Sequence, residues 1–491
     1  MYDSTEAARR RKRRGIRMIK SFAQTSEAEA GAQTRMAKKL FGTDGIRGIP
    51  GEYPLDDATL ERVGLALGEY LQSHVSAGGT RPRVLIGCDT RESGRHIADR
   101  VARGLGAAGA EPHFASVLTT PGVAWLVSRE EFAAGVVVSA SHNPYHDNGV
   151  KLISSSGMKF PDAIEAEMER FILAGNGATA PANRKARSAV VETQNGKLHE
   201  DYLGGLAAAA LPGASLAGMK IILDCANGAA SSFAPRLFRS LGASVTAMND
   251  APDGRNINAE CGSLHPEGMR RRVTGTGAAL GVAFDGDADR AIFASASGRL
   301  VDGDGVLLAA GRYLQSSRKL KGNVIVGTTM ANLGLERALE KTGLELARTD
   351  VGDRYVLEEM RRIGANLGGE QSGHIIFLDD APTGDGMLTA VKIASLVAIC
   401  GPLDELVADL KIFPQKITSV RVREKPAMES LPGVARAIEQ AQAALGKSGR
   451  VVVRYSGTEP LARVMIEAEH EEDVERWTER LVSELRAAIG S

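Results

Sequence analysis

The chain is poor in cysteine, has no long apolar run and carries no net charge, and each shortage excludes a class of protein. Its four cysteines (Cys88, Cys225, Cys261 and Cys400) are scattered through 491 residues with no C-x-x-C pair. That spacing argues against a zinc site or a disulfide framework and fits a reducing cytoplasm. No stretch of about 18 uninterrupted apolar residues occurs, so no membrane span is expected. Basic and acidic residues number 60 each, but they are unevenly placed. Residues 1–35 hold nine Lys+Arg against four Asp+Glu, including the block Arg9 to Arg14, which leaves 51 against 56 in the rest. Such a block can bind nucleic acid. No apolar segment follows it, so it is not a secretory signal. The reading adopted is an unstructured extension ahead of Met36, with no nucleic-acid partner.

What is present is a large α/β protein. Hydrophobic content of 43% and charged content of 24% are ordinary for a globular chain, and the length calls for three or four domains. Short β-branched runs such as R-V-L-I-G-C-D, A-G-V-V-V-S, L-G-V-A-F-D-G-D and G-N-V-I-V-G-T-T alternate with Ala/Leu-rich helical stretches. Continuous apolar strands between helices indicate sheets covered on both faces. Many of these strands end in Asp, Ser, Asn or Gly, at the edge where open α/β sheets bind ligands. The pattern divides into a basic leader (1–37), three tandem α/β domains (38–190, 191–297, 298–412) and a smaller α+β domain with an antiparallel sheet (413–491).

Two motifs carry the chemistry. In V-V-V-S-A-S-H-N-P-Y-H-D-N-G-V-K an apolar strand stops at a polar turn that can present the Ser141 hydroxyl, with His142 and Lys151 close by. A serine needs a partner for its proton or a metal to act as nucleophile; the competing reading is a helix N-cap at Ser139 or Ser141. In F-D-G-D-A-D-R, Asp285, Asp287 and Asp289 alternate on a glycine-containing loop. Three such carboxylates can converge on one hard cation while leaving positions open for phosphate oxygens, and Arg290 beside them can offer a planar fork. The glycine in second place and the missing closing Glu reject an EF-hand. Weaker signals follow. G-G-E-Q-S-G-H sets Glu370, Ser372 and His374 two apart, and alternation would turn all three to one side, toward sugar hydroxyls. R-Y-S-G-T-E-P offers Arg454, Ser456, Gly457 and Thr458 as a dianion cradle. F-G-T-D-G-I-R-G places Arg47 in a Gly-rich loop, again a phosphate-type environment.

In this order and spacing the motifs resemble the α-D-phosphohexomutase superfamily, from about Lys38 to the C-terminus. The resemblance implies three mixed-sheet α/β domains and a TATA-binding-protein-like C-terminal domain, heart-shaped around a central cleft. It also implies Mg²⁺ held by Ser141, Asp285, Asp287 and Asp289, with Ser141 as the phosphorylated residue because it directly precedes His-Asn-Pro. Glu370, Ser372 and His374 would read the sugar. Arg290 would neutralise phosphoryl charge, and Arg454, Ser456, Gly457 and Thr458 would hold the substrate's own phosphate. Lys151 or His142 would serve as acid/base with Arg47 steering. The segments G-E-Q-S-G-H, P-D-G-R-N-I-N-A-E-C-G-S-L-H-P-E and T-D-V-G-D-R-Y-V follow the branch acting on glucosamine phosphates. The expected reaction interconverts glucosamine 6-phosphate and glucosamine 1-phosphate, with glucosamine 1,6-bisphosphate or another hexose bisphosphate as activator, on the way to UDP-N-acetylglucosamine and cell-wall synthesis. The expected enzyme is a cytoplasmic monomer or homodimer. A phosphomannomutase/phosphoglucomutase of the same fold is the alternative. Tyr455 stands where proline is commoner in the family, and the basic leader has no family counterpart.

Overall fold

The apolar runs become strands, and the order in which they pair brings distant loops together. In the computed structural model, residues 40–42, 44–75, 80–174, 191–192, 195–456 and 460–490 are described. The basic leader, Gly457 and Thr458 lie outside the described residues. The first sheet runs Ile46–Gly48, Asn148–Ser154, Ala134–Val138, Arg83–Cys88, Glu111–Val117 and Val191–Glu192. Its pairings are parallel from Ala134–Val138 outward to Val191–Glu192 and antiparallel on either side of Asn148–Ser154. The last strand lies just past the join read at residue 190. Every residue of Ala134–Val138 is buried, as an inner strand covered by helices requires. Each of its valines contributes roughly 1.5–3 kcal/mol by leaving water.

Two further mixed sheets follow. One runs Leu300–Val301, Ala291–Ser295, Leu280–Phe284, Lys220–Asp224 and Ser244–Met248; the other runs Glu345–Thr349, Val324–Thr328, Leu367–Gly369 and Ile375–Phe377. The last sheet, Gln415–Arg421, Leu461–Ala468 and Gly449–Tyr455, is antiparallel throughout and is backed by the helices Pro432–Leu445 and Glu471–Ile489. Among the described residues no helix is long and apolar enough to cross a membrane.

One buried apolar cluster extends from Leu85 to Leu410 and binds the three α/β units into a single body. The C-terminal unit has its own core, from Val420 to Ile489. Its junction with the third sheet's unit is polar. Glu467, fully buried, accepts the Leu333 amide at 2.8 Å and the Arg450 guanidinium at 2.6 Å. Arg450 also donates to the carbonyls of Thr329 and Ala331 at 2.9 and 3.0 Å.

Candidate active site

Ser141 sits in a turn, not at a helix N-terminus: the strand Ala134–Val138 ends, the chain turns through residues 141–147, and it re-enters the sheet at Asn148. The N-cap reading is therefore excluded. Ser141 adopts φ +51°, a left-handed conformation that disfavours side chains with a Cβ, so surrounding contacts must impose it. Arg91 supplies most of them. Its guanidinium donates to the carbonyls of Ser141 (3.0 Å), Asn143 (2.8 Å), Asp147 (3.0 Å) and Pro144. It also pairs with Asp89 at 3.0 Å, and both side chains are fully buried. Asp89 in turn accepts the Ser139 hydroxyl at 2.7 Å, and Ser139 accepts the Ser141 amide at 2.9 Å. From the second unit, the Asn258 side chain donates to the carbonyls of Ser141 and Asn143 at 2.9 and 3.1 Å. Ser139 is thus a buried brace behind the turn, while Ser141 points its hydroxyl forward.

That hydroxyl donates to Asp285 Oδ2 at 2.7 Å, across 144 residues of sequence. The Asp loop follows the buried strand Leu280–Phe284, and Gly286 packs so tightly that a Cβ there would come within 2.6 Å of the Ser141 carbonyl oxygen. Asp285, Asp287 and Asp289 are 1%, 1% and 9% exposed, and one oxygen from each lies within 4.8 Å of the others. Asp287 Oδ1 and Asp289 Oδ1 are buried with no hydrogen-bond partner among the described residues. A buried carboxylate oxygen without a donor is costly, and three carboxylates at this spacing fit a hard cation. Burial, with Asp289 and Asp287 beside it, pushes the Asp285 carboxyl well above the usual carboxylate range. Burial also opposes ionisation of Asp289, but His374, Lys151 and Arg290 outweigh it and hold that carboxylate low.

Cations surround the loop. Lys151, on the strand Asn148–Ser154, is buried with Nζ 3.1 Å from Asp287 and 3.0 Å from Asp44. Burial works against its charge, yet Asp287 and Asp44 raise its pKa and keep it an ammonium. Arg290 donates its amide to Asp285 Oδ1 at 3.2 Å, and its guanidinium stands 3.4 Å from His142 Nδ1. His142 Nδ1 is also 3.4 Å from Ser141 Oγ. Burial, then the Arg290 charge, lowers the His142 pKa and favours neutral imidazole. Arg47 lies on the strand Ile46–Gly48 rather than in a loop and pairs with Asp44. Asp44 therefore links Arg47 to Lys151.

The period-two reading of Glu370, Ser372 and His374 is corrected. Residues 370–374 form a turn between Leu367–Gly369 and Ile375–Phe377, with Gly373 at φ +93°, so strand alternation does not apply. Glu370 is half-buried and accepts the Gly352 amide at 2.9 Å, and Ser372 is exposed. His374 turns inward, 3.6 Å from Asp289, and becomes part of the Asp-loop environment. Burial disfavours its charge, but Asp289 more than offsets this and raises its pKa. In the C-terminal unit Arg454 is exposed and Ser456 buried, and the Ser456 carbonyl accepts Lys425 Nζ at 2.6 Å.

Asp89, Arg91, Asn258, Asp44 and Thr120, whose hydroxyl donates to Asp287 at 2.5 Å, were not found from the sequence. The available signal was C-D-T-R-E-S-G, a polar cluster at the end of the strand Arg83–Cys88, beside the serine strand in the sheet.

Family models match the chain in four consecutive pieces. They are described as phosphoglucomutase/phosphomannomutase, alpha/beta/alpha domain I (residues 38–177), domain II (200–298), domain III (302–413) and C-terminal domain (418–484). A protein of Solibacter usitatus named phosphoglucosamine mutase is 50% identical over 456 residues, covering 93% of this chain and 100% of the relative. One of Koribacter versatilis with the same name is 48% identical over 457 residues, covering 92% and 98%. Among solved structures, a phosphoglucomutase/phosphomannomutase family protein from Burkholderia thailandensis superposes with TM-score 0.72 at 23% identity, over 92% of this chain and 98% of that one. Aspergillus fumigatus N-acetylphosphoglucosamine mutase, in complex with GlcNAc-6P and magnesium, gives 0.63 at 20% identity, over 93% and 98%. At these identities the structural likeness concerns the fold.

Proposed function

Because the chain belongs to the phosphoglucomutase/phosphomannomutase family, we propose that it interconverts glucosamine 6-phosphate and glucosamine 1-phosphate through a phosphorylated Ser141. The observation that carries this reading is the Ser141 hydroxyl, held 2.7 Å from Asp285 by an enforced left-handed turn, against a carboxylate triad with orphaned buried oxygens. The names of the relatives at about half identity select the amino sugar.

In this reading Asp285, Asp287 and Asp289, with an oxygen on Ser141, would hold Mg²⁺, which would supply neutralisation of phosphoryl charge. The remaining work belongs to the chain. Arg290 offers its guanidinium to the transferring group, and Lys151, an ammonium held between Asp287 and Asp44, enters as a fixed positive charge. His142, neutral, accepts a proton. In the first transfer the bond from phosphorus to Ser141 Oγ breaks and a bond to the sugar O1 forms, while the sugar hydroxyl proton passes by way of His142 to the freed Ser141 oxygen. The resulting glucosamine 1,6-bisphosphate turns over, and its 6-phosphoryl group returns to Ser141. Arg454, Ser456, Gly457 and Thr458 cradle whichever phosphate is not reacting, with Lys425 adding charge at that loop. Glu370 and Ser372 read sugar hydroxyls, and Arg47 steers the phosphate. The separate core of the C-terminal unit supports its closing as a lid over the intermediate. The joins read at 190 and 297 fall short of the last strands of the first two sheets, since Val191–Glu192 pairs in the first sheet and Leu300–Val301 in the second; the free thiols of Cys88, Cys225, Cys261 and Cys400 suit a cytoplasmic enzyme.

The test is conversion of glucosamine 6-phosphate with Mg²⁺ and a catalytic amount of glucosamine 1,6-bisphosphate, alongside intact-mass analysis for a phosphate on Ser141. Ser141→Ala should remove both the phosphate and the activity; isomerisation that survives the substitution unchanged sinks the phosphoserine assignment. Comparing kcat/KM on glucosamine, glucose and mannose phosphates decides the sugar. Preference for glucose or mannose would make the chain a phosphomannomutase/phosphoglucomutase.

A further inference from the structure

Lys159 belongs to none of the motifs, yet it joins the reactive end of the site to the sugar end. It lies in the turn after the strand Asn148–Ser154, bridged to Ile153, with a side chain 21% exposed. Its Nζ is 2.9 Å from Asp44 Oδ1 and 2.9 Å from Asp353 Oδ2. Asp44 uses its other oxygen to hold Lys151 at 3.0 Å, and Lys151 reaches Asp287 at 3.1 Å. Asp353 opens the helix Asp353–Ile363, and the residue before it, Gly352, donates its amide to Glu370 at 2.9 Å. Charges therefore alternate along Asp287, Lys151, Asp44, Lys159 and Asp353, crossing from the second unit through the first to the third.

An isolated exposed ion pair contributes little, but this arrangement differs in two respects. The three inner members, Lys151, Asp44 and Lys159, are each shared between charged partners on either side, so fixing one side chain helps to fix the next. The members sit in the partly dry wall of the site, where charge interactions are screened less than at the surface. Without the Lys159 ammonium, Asp44 and Asp353 face each other as like charges. Asp44 would then be free to shift with Lys151, and the Gly352 turn to draw away from Glu370.

We propose that Lys159 is a positioning residue that keeps Lys151 and the Gly352–Glu370 contact in register across the site. The proposal rests on the reading that Lys151 and Glu370 act on the substrate, and its test separates from that reading. Wild-type turnover of glucosamine 6-phosphate tests the function. The Lys159 variants are compared on whichever hexose phosphate the wild type isomerises, and hydrogen exchange needs no turnover.

Lys159→Met should lower kcat/KM roughly 10- to 100-fold, the cost of a misplacement on the order of 1 Å. Both parameters should move, kcat through Lys151 and KM through Glu370. Lys159→Arg should recover part of the loss. Asp353→Asn should cause a similar loss, and the double variant should be no worse than the poorer single one. The peptide covering residues 349–355 should exchange faster in Lys159→Met while the melting temperature stays within a few degrees of wild type. The proposal is overturned by kinetics within twofold of wild type, by fully multiplicative losses in the double variant, or by unchanged exchange over 349–355.

Discussion

The contact most open to a quantitative test is the Asp89–Arg91 pair behind Ser141. Consider Arg91→Met, which keeps the length and removes the charge. Both side chains of the pair are fully buried, so the variant leaves the Asp89 carboxylate stranded. Breaking one partner of such a pair costs about 3–5 kcal/mol. An independent limit comes from proton uptake, because Asp89 can escape by becoming neutral. With an unfolded-state pKa of about 3.9, protonating it at pH 7 costs about 4 kcal/mol, at about 1.4 kcal/mol per pH unit. The two figures agree. Even in the intact protein burial raises the Asp89 pKa, though Arg91 and the Ser139 hydroxyl resist it. The sign follows. A carboxyl whose folded pKa is raised favours the folded state below its unfolded pKa, and that advantage is lost as pH rises toward the folded value. The destabilisation by Arg91→Met should therefore be largest near pH 7 and fall to about 1.5 kcal/mol for this component at pH 5. Urea unfolding followed by Trp125, in the first unit, reads this directly if Trp477 is replaced by Phe so that one fluorophore reports. Arg91→Lys keeps the charge but not the fork that spans four carbonyls. It should retain most of the stability while lowering kcat by at least tenfold. A destabilisation equal at pH 5 and pH 7, or a fully active Arg91→Lys, refutes the reasoning.

Three further outcomes are expected. Adding Mg²⁺ to metal-stripped protein should raise the melting temperature, and Asp287→Asn should abolish that shift and the isomerase activity together; a shift that persists in the variant places the ion elsewhere. Glu467→Ala should destabilise the C-terminal unit by about 3–5 kcal/mol because Arg450 loses its counter-ion and the Leu333 amide its acceptor, read from Trp477 fluorescence with Trp125 as the control, whereas loss confined to Trp125 would contradict the polar junction. His374→Asn should raise KM less than it lowers kcat, since His374 lies against Asp289 rather than in the exposed part of its turn; the opposite split would return it to the sugar loop.

The sequence made the architecture legible because strands buried on both faces leave a run without polar side chains, as in Ala134–Val138 and Leu280–Phe284, and both form strands. The Asp triplet was equally plain, since its three carboxylates need only five residues to meet. The turn at residues 370–374 was misread for a local reason. Two glycines and a polar run look like the end of a strand, but Gly373 takes a positive φ and reverses the chain, so residues two apart face different ways. Arg91 was missed because, beyond Asp89, its partners are carbonyl oxygens of the distant serine turn, which no side-chain pattern encodes.

Residue order along the chain determined which chemistry was available: a serine ending a strand, three alternating carboxylates on one loop, and cations before phosphate-type turns. These are short-range properties, set by strand period and loop length. Tertiary structure alone decided which groups meet. Ser141 reaches Asp285 because the first and second units pack about one shared core, and Asp44 lies between Lys151 and Lys159 because Ile46–Gly48 pairs with Asn148–Ser154. The burial that follows tunes each charge, since His142 and His374, chemically identical in the sequence, have their pKa values shifted in opposite directions by the groups that surround them.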